Sequence, residues 1–398
     1  MIRRHLEDPL RVAAGQYPIV TVTGPRQSGK TTLVRSVFPH HNYVSLEDPD
    51  QRAFALEDPR GFLNQFKAGA VLDEVQRAPD LFSYLQGIVD ADDSPGRFIL
   101  TGSQNFLLMH KISQSLAGRC SVLHLLPFTR SELLGRKPMD SRAIGRTIPR
   151  RKPTGDDPFD VLLKGFYPRI HDKGLAPMAW LNNYVQTYLE RDVREIVNVG
   201  DLETFGRFLR LCAGRSGQLL NLSTLGADCG VTHTTVSRWL SVLEASFLVM
   251  LLRPHHRSFN KRLVKSPKLY FLDPGLLCYL LRIRSAEELR LHAARGAVFE
   301  TCVIAEMFKD AYHRGVEPDL YFWRDSAGHE VDLVLDHGGE LVAVEIKSAE
   351  TIASDFFNGL RYWRTLPDQG KAPAALVHGG SDSYIRGGFA VYSWDVWL

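Results

Sequence analysis

Gly24-Pro25-Arg26-Gln27-Ser28-Gly29-Lys30-Thr31 is the stretch on which the reading of this chain turns. It satisfies the pattern GxxxxGK[ST] at every fixed position. It stands between the apolar run Ile19-Val20-Thr21-Val22 and a segment of helical character that begins near Lys30, which is where the chemistry requires it. The glycines let the backbone curl so that successive N–H groups face an anion at a helix N-terminus. Lys30 then reaches the β and γ oxygens of a nucleoside triphosphate, and Thr31 offers its hydroxyl to magnesium. The residues from Gly24 to Thr31, with Thr32 behind them, are therefore expected to hold ATP and Mg2+.

Outward from this loop, short apolar runs alternate with segments of helical length from Ile19 to about Glu132. The runs are Ile19 to Val22, Tyr43 to Leu46, Ala70 to Leu72, Phe98 to Leu100 and Val122 to Leu125. Such alternation predicts a parallel sheet covered by helices on both faces. The third run ends in Asp73-Glu74, so a carboxylate is delivered to the sheet edge opposite the loop. Asp73 is expected to hold magnesium, directly or through water. Glu74 is the natural group to polarise an attacking water, which favours hydrolysis over phosphate transfer to another acceptor. The fourth run ends in Gly102-Ser103-Gln104-Asn105, and Ser103 or Asn105 is placed to sense the γ-phosphate. A plain strand-ending turn is the competing reading.

The chain has 398 residues, too many for one core and suited to two or three domains. With 44% hydrophobic and 23% charged residues it has the make-up of a folded, non-fibrous protein. A formal net charge of +3 is too mild to argue for nucleic acid, so any basic surface has to be local. Five scattered cysteines without a CxxC pair argue against a disulfide framework or a zinc knuckle, and fit a reducing cytoplasm. No run approaches the length of a membrane span, so neither export nor a membrane anchor is expected.

Between Gly135 and Pro158 the periodicity lapses into Lys, Arg, Pro and Gly, which reads as a basic linker or loop rather than a DNA contact. Helical spacing returns with Trp180, Tyr184, Tyr188 and Leu189 on one face. Residues 221–240 then read as helix, Gly-containing turn and helix, with Ser223 and Thr232 as N-caps and Val236, Trp239, Leu240 and Leu243 facing inward. His233, Thr234, Ser237 and Arg238 are expected to face outward, where short polar and basic side chains suit a DNA groove and its phosphates. The following apolar run from Phe247 and the basic stretch through Arg257 and Lys261 look like a hairpin wing. The same winged-helix arrangement serves elsewhere as a protein-contact module, and His255-His256 lacks partners at metal-ligand spacing.

In the last hundred residues, Glu300 falls on a helix, Asp332 within a strand and Glu345-Ile346-Lys347 at the end of the next. Strand alternation places Glu345 and Lys347 on one face. Carboxylates so gathered would hold magnesium against a phosphodiester while Lys347 offsets transition-state charge. The order Glu, Asp, ExK resembles the PD-(D/E)xK nuclease superfamily. Cleavage, a non-catalytic fold of that type and a coincidence of charged strand ends all remain open at this point.

Taken as a whole, the sequence resembles the AAA-type ATPases of bacteria and archaea that carry a C-terminal DUF4143 domain. The resemblance rests on the phosphate loop, Leu72-Asp73-Glu74-Val75-Gln76, Leu100-Thr101-Gly102-Ser103, Ser115-Leu116-Ala117-Gly118-Arg119, residues 127–133 and Tyr188-Leu189-Glu190-Arg191-Asp192-Val193. Gly165-Phe166-Tyr167-Pro168 departs from the Gly-Gly-Phe-Pro more usual in that family. The resemblance implies that Arg119 is a γ-phosphate sensor or an arginine finger reaching a neighbour's site, with Arg191 as a second candidate; a finger supplied in trans implies a homo-oligomer. The expected fold class is α/β: a P-loop sheet over 1–135, a linker over 136–158, a helical and winged-helix domain over 159–265 and a restriction-endonuclease-like domain over 266–398. The expected function is Mg-dependent ATP hydrolysis by an oligomeric, DNA-associated motor or remodeller acting on duplex or branched DNA. The alternative from another class is a nucleotide-switched interaction protein whose C-terminal domain contacts a protein partner; a nuclease licensed by ATP is a third.

Overall fold

The computed structural model describes residues 2–103, 115–188, 202–255 and 264–398. The five runs of the N-terminal region form strands β1 (Ile19–Gly24), β2 (Asn42–Ser45), β3 (Ala70–Asp73), β4 (Phe98–Ser103) and β5 (Cys120–His124). All pairings among them are parallel, in the order β2-β3-β4-β1-β5. Alternate residues feed two separate cores. Val20, Val22, Val71, Ile99 and Leu123 pack under the helices Glu7–Ala14 and Lys30–Val37, whereas Leu72, Phe98 and Leu100 pack under Leu81–Ala91 and the segment around Phe62. A strand buried on both faces carries apolar residues at nearly every position, which is why these runs are continuous.

The remaining strands are β6 (Val249–Pro254), β7 (Lys268–Phe271), β8 (Leu320–Arg324), β9 (Glu330–Asp336), β10 (Leu341–Lys347), β11 (Ala374–His378), β12 (Tyr384–Arg386) and β13 (Phe389–Ser393). They form one eight-stranded sheet in the order β12-β13-β11-β10-β9-β8-β6-β7. Here the expected division at 265/266 is corrected. The run from Phe247, read from sequence as the start of a wing in the middle domain, supplies β6, which pairs with β7 and joins this sheet, with Arg253 and Pro254 opposite Tyr321 and Phe322 of β8. A single apolar core also runs through Phe166, Phe205, Leu225, Trp239, Leu269, Cys302, Leu333 and Val377. The helical middle and the C-terminal sheet thus bury one another.

The basic segment over 136–158 is likewise not a solvated linker. Ile144 is fully buried, the Tyr392 hydroxyl donates to the Thr147 carbonyl at 2.7 Å, and Arg136 and Arg151 donate to the carbonyls of Asp395 and Val396 at 3.1 Å each. Its arginines read as solvent-facing because their partners, backbone carbonyls some 250 residues away, leave no local trace. Among the described residues no helix is long and apolar enough to cross a membrane.

Candidate nucleotide site and a carboxylate–lysine cluster

The loop between β1 and the helix Lys30–Val37 takes its shape from three residues in the left-handed region, Gly24 (φ 150°), Gln27 (φ 64°) and Gly29 (φ 93°). A side chain on Gly24 would put its Cβ 2.1 Å from the Leu125 carbonyl oxygen, so only glycine fits there. Lys30 is buried, and its ammonium donates to the carbonyls of Gly24 (3.0 Å) and Pro25 (2.8 Å), which fold it back over the loop. The Ser28 hydroxyl is buried and has no partner among the described residues, leaving a donor unused inside the loop.

Across from the loop, Asp73 ends β3 and accepts three hydroxyls: Thr31 at 2.9 Å, Tyr43 at 2.7 Å and Thr101 from β4. Burial and the Asp73 charge together raise the Tyr43 hydroxyl well above its ordinary range, so it stays a donor. Thr31 and Asp73, expected from sequence to share a magnesium ion, are therefore in direct contact. Glu74 lies just past the strand in a left-handed conformation (φ 57°). Its carboxylate accepts from Gln76 Nε2, and the same amide lies 3.2 Å from Ser103 Oγ at the end of β4. Glu74, Gln76 and Ser103 form one hydrogen-bonded chain along the edge that faces the loop. Asn105 lies outside the described residues.

Arg119 falls elsewhere. It directly precedes β5, whose first residue Cys120 is level with Ile19, whereas the loop begins at Gly24. Arg119 is one step further, so six strand steps of ~3.3 Å put it at the opposite edge of the sheet, about 20 Å from the loop. There it is paired with Asp90. A sensing role within its own chain is ruled out by this distance; a role toward a neighbour's site is not. Arg191 lies outside the described residues.

In the C-terminal sheet, three of the four expected residues come together. Lys347 Nζ lies 3.1 Å from Glu345 Oε1 and 3.3 Å from Asp332 Oδ2, and Asp332 also accepts the Ile346 N–H at 2.8 Å. Strand alternation brought Glu345 and Lys347 to one face as expected, and the antiparallel β9–β10 pairing supplied Asp332. Glu300 is offset. It accepts from the Tyr270 hydroxyl at 2.5 Å and lies 3.5 Å from Lys268, which also pairs with Glu330 at 2.5 Å. Glu300 is thus held by partners other than the remaining three, and among the described residues no group of three His, Cys, Asp or Glu side chains is placed to hold a metal ion. Lysines sit between the acids instead. Burial, and next the charge of Asp332, push the Glu345 carboxyl up to about 8 and the Glu300 carboxyl up to about 7. Glu345 Oε2 is buried and has no hydrogen-bond partner among the described residues.

Comparison with known proteins follows this division of the chain. The model of an AAA domain matches residues 16–134, a domain of unknown function (DUF8612) matches 155–287, and another (DUF4143) matches 295–396. An uncharacterized protein of Mycobacterium tuberculosis is 32% identical over 352 residues, which is 88% of this chain and 74% of that protein; its counterpart in Mycobacterium bovis gives the same figures. The chain belongs to the AAA-type P-loop ATPases that carry a C-terminal DUF4143 domain. Among solved structures, this family member is similar to a Walker-type ATPase of Pyrococcus abyssi, with a TM-score of 0.43 and 14% identity over 70% of this chain and 96% of that one.

Between the AAA and DUF4143 regions of this ATPase, the helices Leu222–Cys229 and His233–Ala245 are joined by a turn at Gly230 (φ 76°). Thr232 caps the second helix by accepting the Thr235 N–H, as expected. The first is capped by Asn221, not Ser223, because the Asn221 side chain reaches the Thr224 N–H. Trp239 packs edge-on against Phe205, while His233, Thr234, Ser237 and Arg238 are exposed together. Arg257 and Lys261 lie outside the described residues. Sequence reasoning missed Lys268, Tyr270 and Glu330, which no motif singles out. The one available signal was a lysine inside an otherwise apolar strand, since a buried lysine requires a carboxylate partner.

Proposed function

We propose that this AAA-type protein hydrolyses ATP with magnesium and does so as a DNA-associated machine, with phosphodiester cleavage as the chemistry of its C-terminal cluster. The observation that carries hydrolysis is the chain Glu74–Gln76–Ser103 beside the Thr31–Asp73 contact. Lys30, the loop amides and the unused Ser28 hydroxyl provide donors for the phosphates. Thr31 and Asp73 are oxygen donors of the type magnesium takes, which fits the ion to this edge; when bound, the ion offsets charge on the phosphate oxygens. Glu74 is left to orient the attacking water and take its proton, with Gln76 fixing its carboxylate and linking it to Ser103.

For DNA, support comes from the exposed row His233, Thr234, Ser237 and Arg238 at the start of its helix. For cleavage, it comes from Asp332, Glu345 and Lys347 within hydrogen-bonding reach of one another and from Glu345 Oε2, an oxygen without a hydrogen-bond partner among the described residues and suited to one divalent ion. Five cysteines without disulfides fit a cytoplasmic setting. Self-association would give Arg119 a role as a finger in trans, once released from Asp90.

One observation favours the second reading, a nucleotide-switched interaction protein with a non-catalytic C-terminal domain. Lys268 and Lys347 already compensate the acids of the cluster. ATP turnover measured with magnesium, alone and with single-stranded, duplex and four-way-junction DNA, separates the two while DNA integrity is followed in the same samples. Stimulation by one DNA form supports the machine. A rate indifferent to all three, with DNA intact, supports the switch.

A further inference from the structure

The segment that leaves β5 is pinned to three successive turns of the helix Arg295–His313. His313 Nε2 accepts the Leu126 N–H at 3.1 Å, Lys309 donates to the Phe128 carbonyl at 2.7 Å, and Glu306 accepts the Arg130 N–H at 2.8 Å. Residues at this spacing share one face of a helix, so the helix holds the segment along its length. All three side chains are buried.

Arg4 joins this clamp to the nucleotide loop. Its guanidinium donates to Glu132 Oε1 at 3.0 Å, to the Leu126 carbonyl at 2.6 Å and to the Ser28 carbonyl at 2.8 Å, and it lies 4.6 Å over the Phe128 ring. Glu132 Oε1 also accepts the His5 N–H at 2.8 Å and lies 3.3 Å from His313 Nδ1. Burial would raise the Glu132 carboxyl, but Arg4 and then His313 outweigh it and hold that carboxyl well below its ordinary value. One planar side chain therefore touches the phosphate loop, the clamped segment and the acid beside His313. A guanidinium is rigid, so Ser28 cannot shift relative to Leu126 without breaking one of its bonds.

We propose that Arg4 is a positioning residue for the nucleotide loop and that, through it, the placement of the helix Arg295–His313 sets nucleotide affinity. The proposal rests on residues 24–31 being the nucleotide site and is independent of any cleavage chemistry. Coupling of this kind is reciprocal: nucleotide that tightens the loop changes the protection of the helix by the same free energy. Glu300 lies on the same helix thirteen residues before His313, about 20 Å away at ~1.5 Å per residue, so the carboxylate–lysine cluster is mechanically tied to the loop.

The test compares the full-length protein with Arg4→Lys and Arg4→Ala, measuring affinity for a fluorescent ATP analogue, thermal midpoint, and hydrogen exchange of 295–313 with and without that analogue. Lysine preserves the charge beside Glu132 but cannot span three acceptors. Arg4→Lys is expected to keep most of the thermal midpoint that Arg4→Ala loses, to weaken binding about tenfold or more, and to abolish the nucleotide-dependent protection of the helix. Wild-type affinity and protection in Arg4→Lys would overturn the proposal. If Arg4→Lys does not fold, His313→Gln decides. It leaves the guanidinium on Ser28 and is expected to weaken binding less while removing the protection response; an intact response overturns the coupling. A wild-type protein that binds no nucleotide overturns the reading of the loop itself, and Lys30→Ala is the control that distinguishes the two failures.

Discussion

The nucleotide edge and the C-terminal cluster both gather acids and lysines, yet they satisfy them in opposite ways. At the nucleotide edge, the one buried acid, Asp73, is met by three neutral hydroxyls, and Lys30 is met by two carbonyls of its own loop. In the cluster, four acids (Glu300, Glu330, Asp332 and Glu345) are met by two lysines and Arg324, and among the described residues one carboxylate oxygen, Glu345 Oε2, is left without a hydrogen-bond partner. Hydroxyls and carbonyls exchange partners at small energetic difference, so the first site can take up phosphate and metal with little reorganisation. Breaking a buried ion pair by removing one partner is costly, so the second site resists change. The difference separates a site poised for turnover from one whose function has to be drawn out of a stable charge network.

Substitutions can break this comparison at several levels. Lys30→Ala should have the largest effect, loss of ATP binding and turnover, because Lys30 is the loop's buried ammonium at the helix start, held against the loop by the carbonyls of Gly24 and Pro25; retained turnover would move the site elsewhere. Glu74→Gln should leave nucleotide bound and lower turnover by about 10²–10⁴, the range for losing a general base, as measured by single-turnover hydrolysis. In the cluster, Lys347→Ala should destabilise the fold by about 2–3 kcal/mol in denaturant titration, since Asp332 and Glu345 lose their shared counter-ion at a partly solvated position.

A subtler effect comes from pH. With the folded Glu345 carboxyl raised to about 8, its contribution to stability is fully present below its ordinary pKa of 4.5 and is lost as pH rises through about 8. The thermal midpoint should therefore fall between pH 5 and pH 8, and Glu345→Gln should flatten that fall; an unchanged slope would place the titration elsewhere. The smallest effect is expected of Arg238→Ala, a weaker DNA affinity with the salt-dependence slope reduced by about one. An unchanged slope would assign the exposed helix face to another role.

The nucleotide edge was legible almost residue by residue. A loop that wraps phosphate must be contiguous, so its eight residues stand together in the chain, and the apolar strand before Asp73-Glu74 announces which sheet edge they reach. Of the two roles that the resemblance implies for Arg119, the sequence could not exclude the sensor within its own chain, because its position relative to the sheet, one edge or the other, depends on where β5 begins. The C-terminal cluster was half legible: ExK on one strand is a local pattern, and Asp332 follows from antiparallel pairing. Lys268 and Tyr270 come from the short strand β7, which carries no recognisable motif. The basic segment over 136–158 looked like a linker because arginines bound to carbonyls leave the same composition as arginines in water.

By itself, the amino-acid sequence determined the parallel sheet, the phosphate loop with its acids, and the two strands that carry Asp332, Glu345 and Lys347, because each follows from periodicity or spacing within a few tens of residues. Tertiary structure alone decided that β6 and β7 complete the C-terminal sheet, that Glu300 stands with Tyr270 and Lys268 rather than beside Glu345, and that Arg4 binds Ser28, Leu126 and Glu132 at once. Those outcomes rest on buried charges finding partners more than a hundred residues away or across a sheet, where the energy lies in desolvation and pairing that no local pattern encodes.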